Sequence, residues 1–352
     1  MIDTLATLTS NAEKTDEQER PTADSLRAAR EAGGFALVGR GATEAARLFT
    51  ELGRGCPSTS WIAGACLTGK TLVAATVAEV PFAAPDTLVC GSGTPTGTGT
   101  PTPDGVRVTG RWANVSGCED AEWAGLGVVV DGVFSFAAIP TADLTIERTW
   151  KMAGMRGTGS HTVVATDVLV PAGRIGPLQL PGKTSDMLLF GLTVLGPVVG
   201  GTFGALDVIT RMFASDRKPF MSAYTKMGES PGARHWLAEA TRLVQRAERT
   251  MLAVAAEIDA ERAIPPGAAT PAAGTTLTSQ DGVRLHVDLA DAARDCRAAV
   301  DLMLDLHGAS GFATGNPLQR FWRDVNVASR HPHLNPYLAV ERSGALLAGD
   351  VS

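Results

Sequence analysis

The sequence predicts an α+β protein built in the order helices, strands, helices. Three observations carry this. Residues 21–83 hold short, capped helical stretches. Residues 84–175 alternate apolar and polar positions between hairpin-turn dipeptides. From about Asp186 onward, apolar residues recur every three or four positions. A chain of 352 residues is long enough for two or three packed units around a large core. The changes of period divide it into a helical domain over 1–83, a β domain over 84–180 and a helical bundle over 181–352.

Taken in order, residues 1–20 are polar and read as frayed. Ala23-Asp24-Ser25 offers capping residues before Leu26, and Gly33-Gly34 stops the helix that follows. Thr43–Leu52 reads as a second helix and Ser60–Val80 as a third, apolar on several sides. Thr87–Cys90 is a short strand signal. Gly91–Pro103, a run of Gly, Thr, Ser and Pro, reads as a loop by composition. Asp104-Gly105 and Asp131-Gly132 are hairpin signals flanked by alternating residues, and Thr162–Val170 alternates again. Leu237–Ile258 and Val283–Leu306 each place their apolar residues on one helix face, with a Pro/Ala/Gly/Thr loop from Ile264 to Thr278 between them.

Composition narrows the functional classes. Apolar residues make up 44%, which is globular, and the net charge of −6 lacks the basic surface that nucleic acid requires. Val194–Gly204 is apolar but short and interrupted by glycine, so no membrane span is expected. Met1–Arg20 lacks the apolar centre of a signal peptide. The five cysteines, Cys56, Cys66, Cys90, Cys118 and Cys296, show no metal or redox spacing and read as free thiols in a cytoplasmic protein.

Three segments carry a resemblance. The first is Gly110-Arg111-Trp112-Ala113-Asn114-Val115-Ser116-Gly117-Cys118, continuing to Trp123. The second is Gly154-Met155-Arg156-Gly157-Thr158-Gly159-Ser160, with Asp167–Pro171 beyond it. The third runs from Leu306-His307-Gly308-Ala309-Ser310-Gly311-Phe312 through Arg323-Asp324 to Arg330-His331-Pro332-His333-Leu334-Asn335. In this order they resemble the acyl-CoA dehydrogenase superfamily, and within it the two-component flavin-dependent monooxygenases: aromatic hydroxylases and N- or S-oxygenases. The resemblance spans roughly residues 20–350. It implies an N-terminal helical domain, a middle β-barrel or sandwich and a C-terminal four-helix bundle. It also implies diffusible reduced FMN or FAD, O₂, a separate NAD(P)H:flavin reductase and a homodimer or homotetramer. Such an enzyme oxygenates a small molecule of phenol, polyketide, amino-sugar or indole type through a flavin hydroperoxide. The absent G-x-G-x-x-G turn fits a chain with no nicotinamide site. The long apolar faces at 237–258 and 283–306 add a motive for self-association.

The resemblance also nominates residues. Dehydrogenases of the fold carry a carboxylate some eight residues past the Arg-Asp pair. Here that place falls at about Pro332, with His331 beside it, so His331 is the candidate catalytic base. The bland reading is a helix-capping histidine. Ser116 is the candidate hydroxyl for flavin N5; otherwise it is a turn serine. Trp112, Gly117, Cys118, Arg156, Thr158 and Ser160 are further cofactor candidates, Trp112 being as readily a core residue. Arg211 and Arg217 suit flavin phosphate, and His307, Gly308 and Gly311 suit either a phosphate turn or a helix cap. His331-Pro332-His333 has the look of a metal pair but lacks a third ligand nearby, so no metal is expected. Arg323-Asp324 reads as a structural tie in a turn. Two alternatives stay open. One is a dehydrogenase-like oxidoreductase with a relocated base, for which Glu341 is the nearest acid. The other is a member of the fold that binds no flavin.

Overall fold

The computed structural model describes residues 3–178, 183–219, 221–263 and 276–349. It divides into two compact units, one of residues 1–40, 58–152 and 156–182, the other of 41–57, 153–155 and 183–352. The β segment therefore shares a unit with most of the N-terminal helices, while residues 41–57 belong with the C-terminal helices.

In the first unit, helix α1 (Thr4–Glu17) is capped by Asp3, whose carboxylate accepts from the Ala6 N–H, and α2 (Ala23–Glu31) by Thr22. The expectation of a frayed start fails because Leu8 and Ala12 give α1 a buried face. The unit's long helix α4 (Pro57–Thr76) sets Val73 on the buried Phe136 and Ala138, where Val77 also packs. The strands are β1 (Val89–Thr102), β2 (Gly105–Val115), β3 (Trp123–Val130), β4 (Val133–Pro140), β5 (Thr145–Glu147), β6 (His161–Val170) and β7 (Ile175–Pro177). They form one seven-stranded sheet in the order β5-β6-β2-β1-β3-β4-β7. The Asp131-Gly132 hairpin sits where expected, Val130 pairing with Val133 across two residues of positive φ; in the other, Gly105 already pairs with Thr102, so the loop is Pro103-Asp104, one residue earlier than expected.

The expected loop at 91–103 is instead the central strand β1. It pairs antiparallel with β2 and parallel with β3. Its glycines are there for close approach rather than flexibility. A Cβ on Gly97 would lie 2.3 Å from Trp112 Cζ2, and one on Gly110, its cross-strand partner, 2.6 Å from Gly97 Cα. The two glycines clear the space the indole fills.

The second unit holds α3 (Ala42–Gly55), α5 (Thr184–Ala214), α6 (Pro231–Arg262), α7 (Ser279–His307), α8 (Pro317–Ala328) and α9 (Pro336–Leu347). The segment read as glycine-broken is continuous helix inside the 31-residue α5. Gly196, Gly200 and Gly204 lie one turn apart, and a Cβ on any of them would come within 2.5 Å of α3: Phe49 Cβ, Thr50 O and Arg54 O respectively. They form the seam along which α3 closes on α5. Among the described residues α5 alone is long and apolar enough to cross a membrane, but 89% of its most apolar window is buried in the protein. The predicted inward faces of α6 and α7 are buried within the one chain, including Val244, Met251, Leu289 and Val300. They therefore give no motive for self-association. The Ile264–Thr278 loop lies outside the described residues up to position 275.

Candidate functional site

In the first unit, β2 ends at Val115 and the chain turns through Ser116 and Gly117. Gly117 has a φ of +73°, and a Cβ there would meet Ile62 at 2.8 Å, so the turn lies tight against α4. Its N–H donates to Thr158 O at 2.9 Å, which draws the Arg156–Ser160 segment to the turn. Three hydroxyls result: Ser116 Oγ lies 2.7 Å from Ser160 Oγ, which lies 2.7 Å from Thr158 Oγ1. Trp61 on α4 donates from Nε1 to Ser116 Oγ at 3.2 Å. Sequence reasoning found the three hydroxyls but missed Trp61, because its helix reads as uniformly apolar and nothing local ties it to residue 116.

The neighbouring candidates serve the frame. Trp112 is fully buried and its Nε1–H donates to Gly127 O at 2.8 Å, so it is a core residue and presents no face to a cofactor. Cys118 donates to Gly159 O at 3.6 Å, and burial pushes its thiol up to about 12, which makes it inert. Arg156 pairs with Glu19 at 3.1 Å, and Lys151 joins the same carboxylate at 2.7 Å, holding Glu19 below the usual carboxylate range.

In the second unit, α7 ends at His307, with Gly308 at φ +78° as its cap. Arg217 wraps this end. Its Nη2 donates to His307 O at 2.6 Å and Ser310 Oγ at 3.0 Å, and its Nη1 to His307 Nε2 at 3.2 Å. A guanidinium only donates, so Nε2 is an acceptor and the ring proton sits on Nδ1, 3.3 Å from Ser310 Oγ. Burial, then the Arg217 charge, lowers the His307 pKa and keeps the ring neutral. Arg217, His307 and Gly308 border an open cleft of about 440 Å³, lined also by Lys218, Met227, Gly232 and Trp236. A Cβ on Gly308 would meet nothing within 4 Å, so backbone is open to a ligand there. Gly311 packs under Leu304 and His307 instead. Arg211 is exposed on α5 and does not line the cleft. Lys218 and Trp236 were missed, and no motif marks them; Ser310 lies within the quoted 306–312 segment but was not singled out.

The C-terminal histidines form a third group. His331 is the N-cap of a short 3₁₀ turn over Pro332–Leu334, its Nδ1 accepting the His333 N–H at 3.4 Å. It thus caps the start of a turn, not the end of a helix. With Nδ1 accepting, the neutral ring carries its proton on Nε2. The His331 and His333 rings stack at 5.3 Å, and Phe190 lies 6.5 Å from His333. His286 on α7 donates from Nε2 to His333 O at 2.9 Å. Burial, and next the neighbouring His333, pushes His331 down to about 4; burial, then His286 and Arg342, takes His333 down to about 4. Both are neutral near pH 7. Among the described residues no group of three His, Cys, Asp or Glu could hold a metal ion. Arg323 and Asp324 lie on α8, not in a turn: the buried Asp324 accepts the Met155 N–H at 2.5 Å and Arg323 donates to Ala153 O, a structural tie. Glu341 is exposed on α9.

Comparison with known proteins gives this geometry a context. Residues 192–336 match the family model "Acyl-CoA dehydrogenase, C-terminal domain". The chain is 30% identical to the oxygenase component of an FADH₂-dependent resorcinol hydroxylase from Rhizobium sp., over 93% of this chain and 87% of that one. It is 29% identical to the oxygenase subunit HsaA of a flavin-dependent monooxygenase from Rhodococcus jostii, over 94% and 93% of the two chains. The solved structure of XiaF from Streptomyces sp., in complex with FADH₂ and glycerol, superposes with a TM-score of 0.89 at 25% identity, covering 98% of this chain and 93% of that one.

Proposed function

The chain belongs to the flavin-dependent monooxygenase branch of the acyl-CoA dehydrogenase superfamily, and on that premise we propose that it hydroxylates a small phenol or related aromatic. It is the oxygenase component: reduced flavin and O₂ are its co-substrates, and a separate flavin reductase supplies the former. The observation that carries this reading over the dehydrogenase alternative is the segment 329–336, which holds two half-buried neutral histidines and no carboxylate.

Taken unit by unit, each holds residues whose donors suit part of a flavin nucleotide. Arg217 and Lys218 at an open cleft with exposed backbone at Gly308 suit phosphate oxygens. Ser116, as both donor and acceptor, suits the ring's N5 region. When bound, reduced flavin supplies the activation of O₂. The chain's own part is to bind, orient and hold protons. His331 is assigned a donor role in place of the expected base: its Nδ1 accepts from the turn, which puts the proton of the neutral ring on Nε2. A ring with a pKa near 4 is also a poor acceptor for a phenol proton.

Self-association into a dimer or tetramer belongs to this proposal. It is supported by the apolar stripe of Tyr337, Val340 and Leu347, exposed at 69%, 54% and 85% along α9. Cytoplasmic residence belongs to it as well, supported by five free, buried cysteines. The test is to combine the protein with a flavin reductase, NADH, FAD or FMN, and a panel of phenols and indoles under ¹⁸O₂. One ¹⁸O atom per product molecule is expected. A protein that instead retains yellow flavin and is bleached by an acyl-CoA would overturn the reading.

A further inference from the structure

The turn before α9 is held by a side chain 47 positions earlier in the chain. The 3₁₀ turn Pro332–Leu334 closes with the Leu334 N–H on His331 O at 2.8 Å and the Asn335 N–H on Pro332 O at 3.4 Å. The next carbonyl, His333 O, receives no backbone N–H among the described residues. Asn335 leaves the turn at φ −74° and ψ 114° to cap α9, and its side chain takes the Tyr337 N–H at 2.9 Å. Residue 336 is a proline and has no N–H to offer. His286 on α7 supplies the missing donor. Its Nε2 lies 2.9 Å from His333 O, and a carbonyl only accepts, so the ring proton is on Nε2. Residue 333 is thus gripped at both backbone groups by imidazoles: its N–H by His331 Nδ1 at 3.4 Å, its C=O by His286 Nε2.

The two grips depend on one another. His331 Nδ1 keeps this donor only while the residue 333 backbone stands where it does. We infer that His286 is a positioning residue for His331: by holding His333 O it keeps the residue 333 N–H against His331 Nδ1, and so fixes the tautomer and the direction of the His331 ring. Without the His286 N–H, a half-buried carbonyl loses its donor, and the 333–334 peptide is free to rotate toward water. The N–H that His331 Nδ1 accepts then moves with it. A purely structural His286 would change stability and leave the His331 ring as it is. The inference rests on the reading that His331 donates to substrate from Nε2.

The positioning role is tested in the full chain labelled with ¹⁵N-histidine, under conditions where the His331 ring is neutral. His286→Met removes the donor and should draw the His331 Nδ1 and Nε2 signals together as the second tautomer gains population. His286→Gln, whose amide donates from the place of Nε2, should leave them apart. His286→Asn, whose amide stops short of the carbonyl, takes the place of the methionine variant if that protein does not fold. With a flavin reductase, NADH and flavin, product formed per O₂ consumed should fall about fivefold in His286→Met and return in His286→Gln. In a His331→Asn background, where no imidazole remains to be held, His286→Met should lower it no further. Unmoved His331 signals, or a loss that adds in full to that of His331→Asn, would overturn the positioning role. If the signals move as expected but His331→Asn forms product as well as the unaltered protein, the inference falls with the reading that His331 donates to substrate.

Discussion

The stacked pair His331 and His333 should make folding of this protein acid-sensitive in a definite window. Both rings titrate near 4, against an unperturbed value of about 6.5 in the unfolded chain. Their folded-state values are depressed, so the unfolded chain binds more protons between these limits. The stability due to burying neutral rings is fully present above about pH 6.5 and is lost as pH falls toward 4. Taking the shift at face value, each ring costs about 2 kcal/mol between about pH 7.5 and 5, roughly 4 kcal/mol for the pair. His161, His286 and His307 are also lowered and add acid sensitivity of the same sign, so the comparison must be with a variant lacking only the pair. His331→Asn/His333→Phe is suited to this. Asn keeps an acceptor for the residue 333 N–H, and Phe keeps an aromatic ring beside Phe190. Urea unfolding at the two pH values should show the double variant losing roughly 4 kcal/mol less than the unaltered protein. An equal loss in both would mean that the rings are not held neutral by burial, and the donor role given to His331 would lose its footing.

Further outcomes follow from the same geometry. Because His331 is already neutral at pH 7, kcat should show no inflection near pH 6.5 that His331→Asn abolishes; His331→Asn should lower product formation by roughly ten- to a hundredfold at all pH values above 5, read as product per O₂ consumed. Gly97→Ala should destabilise the first unit by about 1–3 kcal/mol, since its Cβ would meet the Trp112 ring at 2.3 Å. Pairing it with Trp112→Phe should cost less in thermal denaturation than the two single changes added together. Arg217→Ala should weaken flavin binding by about ten- to a hundredfold in a fluorescence titration, and Arg217→Lys should not restore it, because the fork is lost. Equal affinity in all three proteins would remove the cleft from the cofactor site.

What could be read in the sequence was whatever a short window contains. Alternation, hairpin dipeptides, caps and helix faces are local, and they located α2, α6, α7 and both hairpins. Glycine misled because it has two meanings. In β1 and α5 it reads as a break, yet Gly97 gives way to Trp112, and Gly196, Gly200 and Gly204 give way to α3. A glycine needed for close approach is defined by the atom that approaches it, here 15 residues away in one case and about 150 in the other, so no local window can tell it from a turn.

The same limit applies to the chemistry. Family motifs singled out Ser116 and His331, but a motif names a residue without saying where its protons are. Proton positions depend on what each neighbouring atom can do. Trp61 Nε1 only donates, so Ser116 accepts from it; the His333 backbone N–H only donates, so His331 Nδ1 accepts from it. The first relation makes Ser116 an acceptor toward α4. The second puts the proton of the neutral His331 ring on Nε2. A serine and a histidine chosen for one role each are thereby given roles fixed by an indole 55 positions away and an amide two positions away. Variants that keep these two residues but remove Trp61 Nε1–H, such as Trp61→Phe, therefore bear on function as directly as variants of Ser116 itself.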